Sequence, residues 1–147
     1  DLEYIEGDLK YIDSYLGGEQ FVGEEALWQD DIPFWSMNYT GRIIGEGFSG
    51  NFLKEALILV PKENPYRGPM VYQNGQYKYH CIVNGEFKWF QGYEEIYFDD
   101  RSVYECFFHP LVASILSLLK WGRNCHLPLG NTYLPLLHLT FLFQYIH

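Results

Sequence analysis

Short aromatic and β-branched runs alternate with tight-turn signals over the first hundred residues. Glu6-Gly7-Asp8, Gly17-Gly18, Asp30-Asp31, Asn74-Gly75, Asn84-Gly85 and Asp99-Asp100 punctuate the chain, and such residues take the positive φ angles that two-residue hairpin turns demand. The runs between them predict antiparallel strands over residues 8–15, 20–28, 33–40, 77–83, 86–91, 93–98 and 103–109. One segment breaks the pattern. From Asn51 to Val60 strong helix formers follow a capping Ser49 or Asn51 and stop at Pro61, which predicts a helix over 51–60 packed through Phe52, Ala56, Leu57 and Val60. Pro61 to Pro69 (PKENPYRGP) then reads as a rigid connector. The expected fold class is α+β, a twisted antiparallel sheet with one helix.

The two sides of the connector resemble each other. Tyr4-x-x-Gly7-x-x-Lys10-Tyr11, Phe21-x-Gly23-Glu24-Glu25 and Asp30 recur as Tyr72-x-x-Gly75-x-x-Lys78-Tyr79, Phe90-x-Gly92-x-Glu94-Glu95 and Asp100. Trp35, Met37 and Tyr39 then align with Tyr104, Cys106 and Phe108, and Trp28 with Phe98. This predicts two repeated halves, 4–41 and 72–109, of about four strands each, with the first half's helix lying upstream of Asp1.

Charge sharpens the domain picture. The chain has 147 residues, 10 Lys and Arg against 19 Asp and Glu, and a net charge of -9. All of the acids lie at or before Glu105, while residues 110–147 hold only Lys120 and Arg123. Residues 1–109 therefore read as one acidic domain and 110–147 as an atypical Leu-rich tail, non-native or unfolded. The uncharged stretch from Asn124 to His147 is long enough to span a bilayer, but Asn124, Pro128, Gly130, Asn131 and Pro135 interrupt it, so no membrane span is expected. The acidic balance argues against direct nucleic-acid binding. Cys81, Cys106 and Cys125, without C-x-x-C spacing, fit reduced thiols in the cytoplasm, and the scattered histidines match no metal site.

Candidate chemistry comes from combining the acids with the aromatic content, which reaches 19%. Strand alternation puts Glu24 with Val22, Ala26 and Trp28, puts Glu94 with Ile96 and Phe98, and adds Asp13 beside Tyr11. Carboxylates on an aromatic face favour a cation. The site predicted is an acidic cleft between the halves, built from Glu24, Glu94 and Asp13 with walls from Trp28, Trp35, Tyr39, Trp89 and Tyr104, for a small cationic or planar ligand. The plainer alternative makes these aromatics the core, with Glu24 and Glu94 wet or paired with Arg42, Arg67 or Arg101. Two other classes stay open: a small hydrolase-like enzyme using Glu24 and Glu94, and a protein-interaction module. His80 and Cys81, adjacent on one strand, diverge and make a poor nucleophile pair. Gly45-Glu-Gly-Phe-Ser-Gly50 has dinucleotide-loop spacing but an antiparallel context, so a flexible helix entry explains it and no cofactor is implied.

The residues also carry a family resemblance. Tyr15-Leu-Gly-Gly18, Gly23-Glu-Glu-Ala-Leu-Trp28, Trp35-Ser-Met-Asn-Tyr-x-Gly41, Phe52-Leu-Lys-Glu-Ala56, Pro65-Tyr-Arg-Gly-Pro69, Gly92-Tyr-Glu-Glu-Ile96 and Tyr104-Glu-Cys-Phe-Phe-His109 resemble an uncharacterised bacterial domain common in Firmicutes. The resemblance covers residues 1–109. That family occurs alone or after a Cro/repressor-type helix-turn-helix, which implies a cytoplasmic effector domain acting with a DNA-binding module in cis or in trans, and it offers no catalytic residues.

Overall fold

A computed structural model describes residues 2–111, so the tail and membrane-span readings lie outside the described residues. Two four-stranded meanders flank one helix. In chain order these are β1 (Leu2–Glu6), β2 (Leu9–Gly17), β3 (Gln20–Gln29), β4 (Ile32–Ile43), α1 (Gly50–Ile58), β5 (Val71–Asn74), β6 (Tyr77–Glu86), β7 (Trp89–Phe98) and β8 (Arg101–Leu111). They form one open antiparallel sheet in the order β1-β2-β3-β4-β8-β7-β6-β5. Among the described residues no helix is long and apolar enough to cross a membrane.

Two-residue connections explain the meander. Asp30-Asp31 and Asp99-Asp100 all have φ between 49° and 61°, the paired left-handed conformation whose twist matches the flanking strands. Asn84-Gly85 behaves otherwise. Predicted as a turn, it lies inside β6, and the chain reverses at Phe87-Lys88 instead. The predicted strands 86–91 and 93–98 therefore merge into β7, because Gly92 is a packing glycine and not a break. A Cβ at Gly92 would collide with the Phe108 ring, as one at Gly23 would with Tyr39. Gly92→Ala should therefore lose about 1–3 kcal/mol of stability by overpacking, measured as a lower chemical-denaturation midpoint.

One face of the sheet carries the core. Tyr11, Leu27, Trp35, Met37, Tyr79, Ile96, Tyr104, Cys106 and Phe108 are buried there, and α1 covers part of it. Ser49 caps the helix by accepting a hydrogen bond from the Phe52 N–H at 3.2 Å, and Phe52, Ala56, Leu57 and Val60 are all buried, as predicted. Phe52 stacks on Tyr72 and Tyr77, and Phe48 of the glycine-rich entry stacks on Tyr104. That entry is thus packed against β8 through Phe48.

Alternation along β3 was grouped correctly but assigned to the wrong side. Glu24 does share a face with Val22, Ala26 and Trp28, yet that is the outer face, with Glu24 exposed and Val22 52% exposed. Glu25 and Leu27 face the core. The outer face of β3 is apolar enough to imitate a core, and the compensation of the buried acid comes from far along the chain.

Candidate functional site

The centre of the inner face is charged. Glu94 on β7 is 0% exposed, Glu25 on β3 is 1% exposed, and between them lies Arg67, 6% exposed, from the connector after α1. Arg67 donates from Nε to Glu94 Oε2 at 3.1 Å and from Nη2 to Glu94 Oε1 at 2.7 Å, a bidentate pair. Its Nη1 donates to Glu25 Oε1 at 3.3 Å, and its guanidinium sits 5.5 Å from the Tyr39 ring centre. Two hydroxyls complete the Glu94 shell, Tyr79 donating to Oε2 at 2.6 Å and Tyr104 to Oε1 at 2.9 Å.

The connector is built to deliver this guanidinium. Pro65, Tyr66, Arg67 and Gly68 are buried, Tyr66 stacks on Phe90 at 3.9 Å, and the Gly68 N–H donates to Tyr79 Oη at 3.1 Å. No Cβ would fit at Gly68 beside the Tyr79 ring, so glycine lets the backbone close onto the sheet.

The first-half side of the cluster is less well satisfied. Glu25 and Asp13 are direct cross-strand partners, a pairing that disfavours ionising both at once. Asp13 Oδ1 accepts from Tyr39 Oη at 2.7 Å. Glu25 Oε2 is buried, and the Tyr11 hydroxyl supports the ionised carboxylate as a hydrogen-bond donor. Burial pushes the Glu25 pKa up to about 8 against the pull of Arg67. Burial also raises the hydroxyls of Tyr11, Tyr39, Tyr79 and Tyr104, and neighbouring carboxylates add to it. Arg67 stays charged: burial alone would lower its pKa, but Glu94 outweighs that. The thiols of Cys81 and Cys106, which flank Glu94 in register, are pushed up to about 12 by burial, so both are protonated core thiols.

Five of the eight predicted site residues come to this face: Glu94, Asp13, Tyr39, Tyr104 and Trp35, the last stacked on Phe87 at 5.7 Å. Three do not. Glu24 and Trp28 lie on the outer face, where Lys10 sits 4.8 Å over the Trp28 ring, and Trp89 is 68% exposed. Glu24 and Glu94 are consequently on opposite sides of the sheet and form no acid pair. Arg67, Glu25, Tyr11 and Tyr79 complete the arrangement. Of these, strand alternation already set Tyr11 beside Asp13, and the plainer alternative that pairs Glu94 with Arg67 is the one the structure shows. Among the described residues no cluster of His, Cys, Asp and Glu has metal-binding geometry.

A family model described as a domain of unknown function (DUF5680) matches residues 13–111. That agrees with the resemblance to an uncharacterised domain, and the match ends where β8 ends. No curated protein and no solved structure matches the chain.

Proposed function

Because the chain belongs to the DUF5680 family, a domain of unknown function, we propose from the site itself that it is a sensor that binds a small organic cation, an amine or guanidinium, beside Asp13 and Glu25. The observation that carries this reading is a shortage of positive charge: Asp13, Glu25 and Glu94 gather around one guanidinium, with Asp13 and Glu25 direct cross-strand partners. Arg67 is committed to Glu94 by two hydrogen bonds. A second cation beside Glu25 would favour its ionised form and offset the repulsion from Asp13 that ionisation brings, and the rings of Tyr11, Trp35 and Tyr39 would add about 0.5–2 kcal/mol per cation–π contact.

The reading includes the two repeated halves, and strand register supports it. Tyr11 pairs with Leu27 and Asp13 with Glu25 in one half, Tyr79 with Ile96 and Cys81 with Glu94 in the other. Register shifts follow Leu27 and Ile96 alike. Glu25 is then the counterpart of Glu94, one residue off the Glu24–Glu94 match that the motifs suggest, and a cation beside it would mirror Arg67 beside Glu94. The domain would act in the cytoplasm as the effector partner of a helix-turn-helix module, in cis or in trans.

Thermal unfolding with methylguanidine, putrescine or arginine tests this. Wild type should be stabilised by one of them, by about 2.7 kcal/mol at a hundred times its Kd, and Glu25→Gln should abolish the effect. Absence of any shift, or an equal shift in Glu25→Gln, rejects the site.

A further inference from the structure

The outer face of the sheet carries an apolar stripe that the inner-face site does not use. Leu16, Val22, Thr40, Phe107, Tyr93 and Ile82 are successive register partners across β2, β3, β4, β8, β7 and β6, and strand alternation therefore places them in one row. Leu16 is 76% exposed, Ile82 65% and Phe107 54%. Tyr93 and Phe107 touch at the centre with ring centroids 4.8 Å apart. At about 4.8 Å per strand the row is roughly 24 Å long, the length of about 16 residues of α-helix.

Charge flanks the stripe on both sides. The next row one way is Gln20, Arg42, Glu105, Glu95 and His80, again register partners, and the next row the other way is Ser14, Glu24, Asn38 and His109, with Glu24 its one acid. Glu95 and Glu105 face each other directly across β7 and β8. Arg42 binds Glu105 at 2.6 Å, while Glu95 is ringed by neutral donors, Tyr93 and Tyr97 each at 3.1 Å, and by His80 at 3.4 Å. Hydroxyls hold Glu95 in place without neutralising it.

We propose that this face docks a basic amphipathic helix of a partner protein, its apolar ridge on the Leu16–Ile82 stripe and its Lys or Arg flanks against Glu24, Glu95 and Glu105. Complementary charge selects this occupant. Two copies of a chain with net charge -9 would bring like-signed rows together, whereas a basic helix meets acids on either side of an apolar centre. Such a contact buries its aromatic pair at the middle, where binding energy concentrates.

The test uses the full chain and a fluorescent 16-residue Leu/Lys amphipathic peptide, read by anisotropy. Binding should weaken by at least about tenfold in Phe107→Ser and in Ile82→Ser. In Glu95→Gln with Glu105→Gln it should weaken several-fold and lose most of its salt dependence. These side chains are exposed or lie on the outer face, so circular dichroism should stay unchanged. Equal binding of a Ser/Lys peptide would reduce the effect to bulk charge and overturn the proposal. A benzophenone side chain placed at position 107 should crosslink to the added peptide; crosslinking instead to a second copy or to residues 112–147 of the same chain would also overturn it.

Discussion

Arg67→Met is expected to destabilise the domain by about 3–5 kcal/mol, the usual consequence of removing one partner from a buried ion pair. Methionine fills a similar volume, so lost packing contributes little. What is left behind decides the magnitude: Glu94, 0% exposed, would keep the Tyr79 and Tyr104 hydroxyls but lose both guanidinium bonds and its counter-charge. The variant should show a lower urea midpoint. Adding Glu94→Gln should recover most of the loss, because a neutral amide can accept from one tyrosine and donate to the other. Arg67→Lys should fall between, since an ammonium has no planar fork for the bidentate pair. A loss below about 1 kcal/mol in Arg67→Met would mean that the connector, held by Tyr66 on Phe90 and by Gly68 on Tyr79, closes the inner face without its charge.

That dependence on one distant side chain also explains what the sequence could reveal. Local rules carried well: the Asp30-Asp31 and Asp99-Asp100 reversals, the helix with its Ser49 cap, and most strands follow from turn chemistry and alternation. Asn84-Gly85 misled because a glycine with φ of 121° was needed inside β6 as it nears the turn, where a Cβ would collide with Trp89 backbone. The short strands β1 and β5 were missed because turn signals hem in their few residues. The side of β3 could not be read from β3. Both of its faces hold apolar residues, and the acid that turns inward is tolerated only because Arg67, 42 residues later, returns through a buried connector. Periodicity senses neighbours at two or four residues; it does not sense a counter-ion supplied by tertiary folding.

Glu25→Gln is expected to remove the pH dependence that Glu25 imposes. In the unfolded chain this carboxyl titrates near its ordinary value of 4.5, and in the folded domain burial holds it at about 8. Between those values the folded state keeps a proton that the unfolded state has lost, so raising the pH favours unfolding. The contribution of Glu25 to stability is therefore greatest below pH 4.5 and falls as pH rises through about 8, by an amount on the order of 3–5 kcal/mol. The groups facing it fix the sign: Asp13 and desolvation favour the neutral form, and Arg67 and the Tyr11 hydroxyl oppose them. Subtracting the unfolding free energies of wild type and Glu25→Gln at each pH cancels the other carboxylates. The variant should gain on wild type steadily from pH 5 to pH 8.5. A bound organic cation would change that slope in wild type alone, because it stabilises the carboxylate and lowers the folded pKa. Its affinity should accordingly rise as pH rises toward about 8. A pH-independent affinity would show that any cation bound elsewhere, whereas a flat difference between the two proteins would show that Glu25 is already ionised against Arg67.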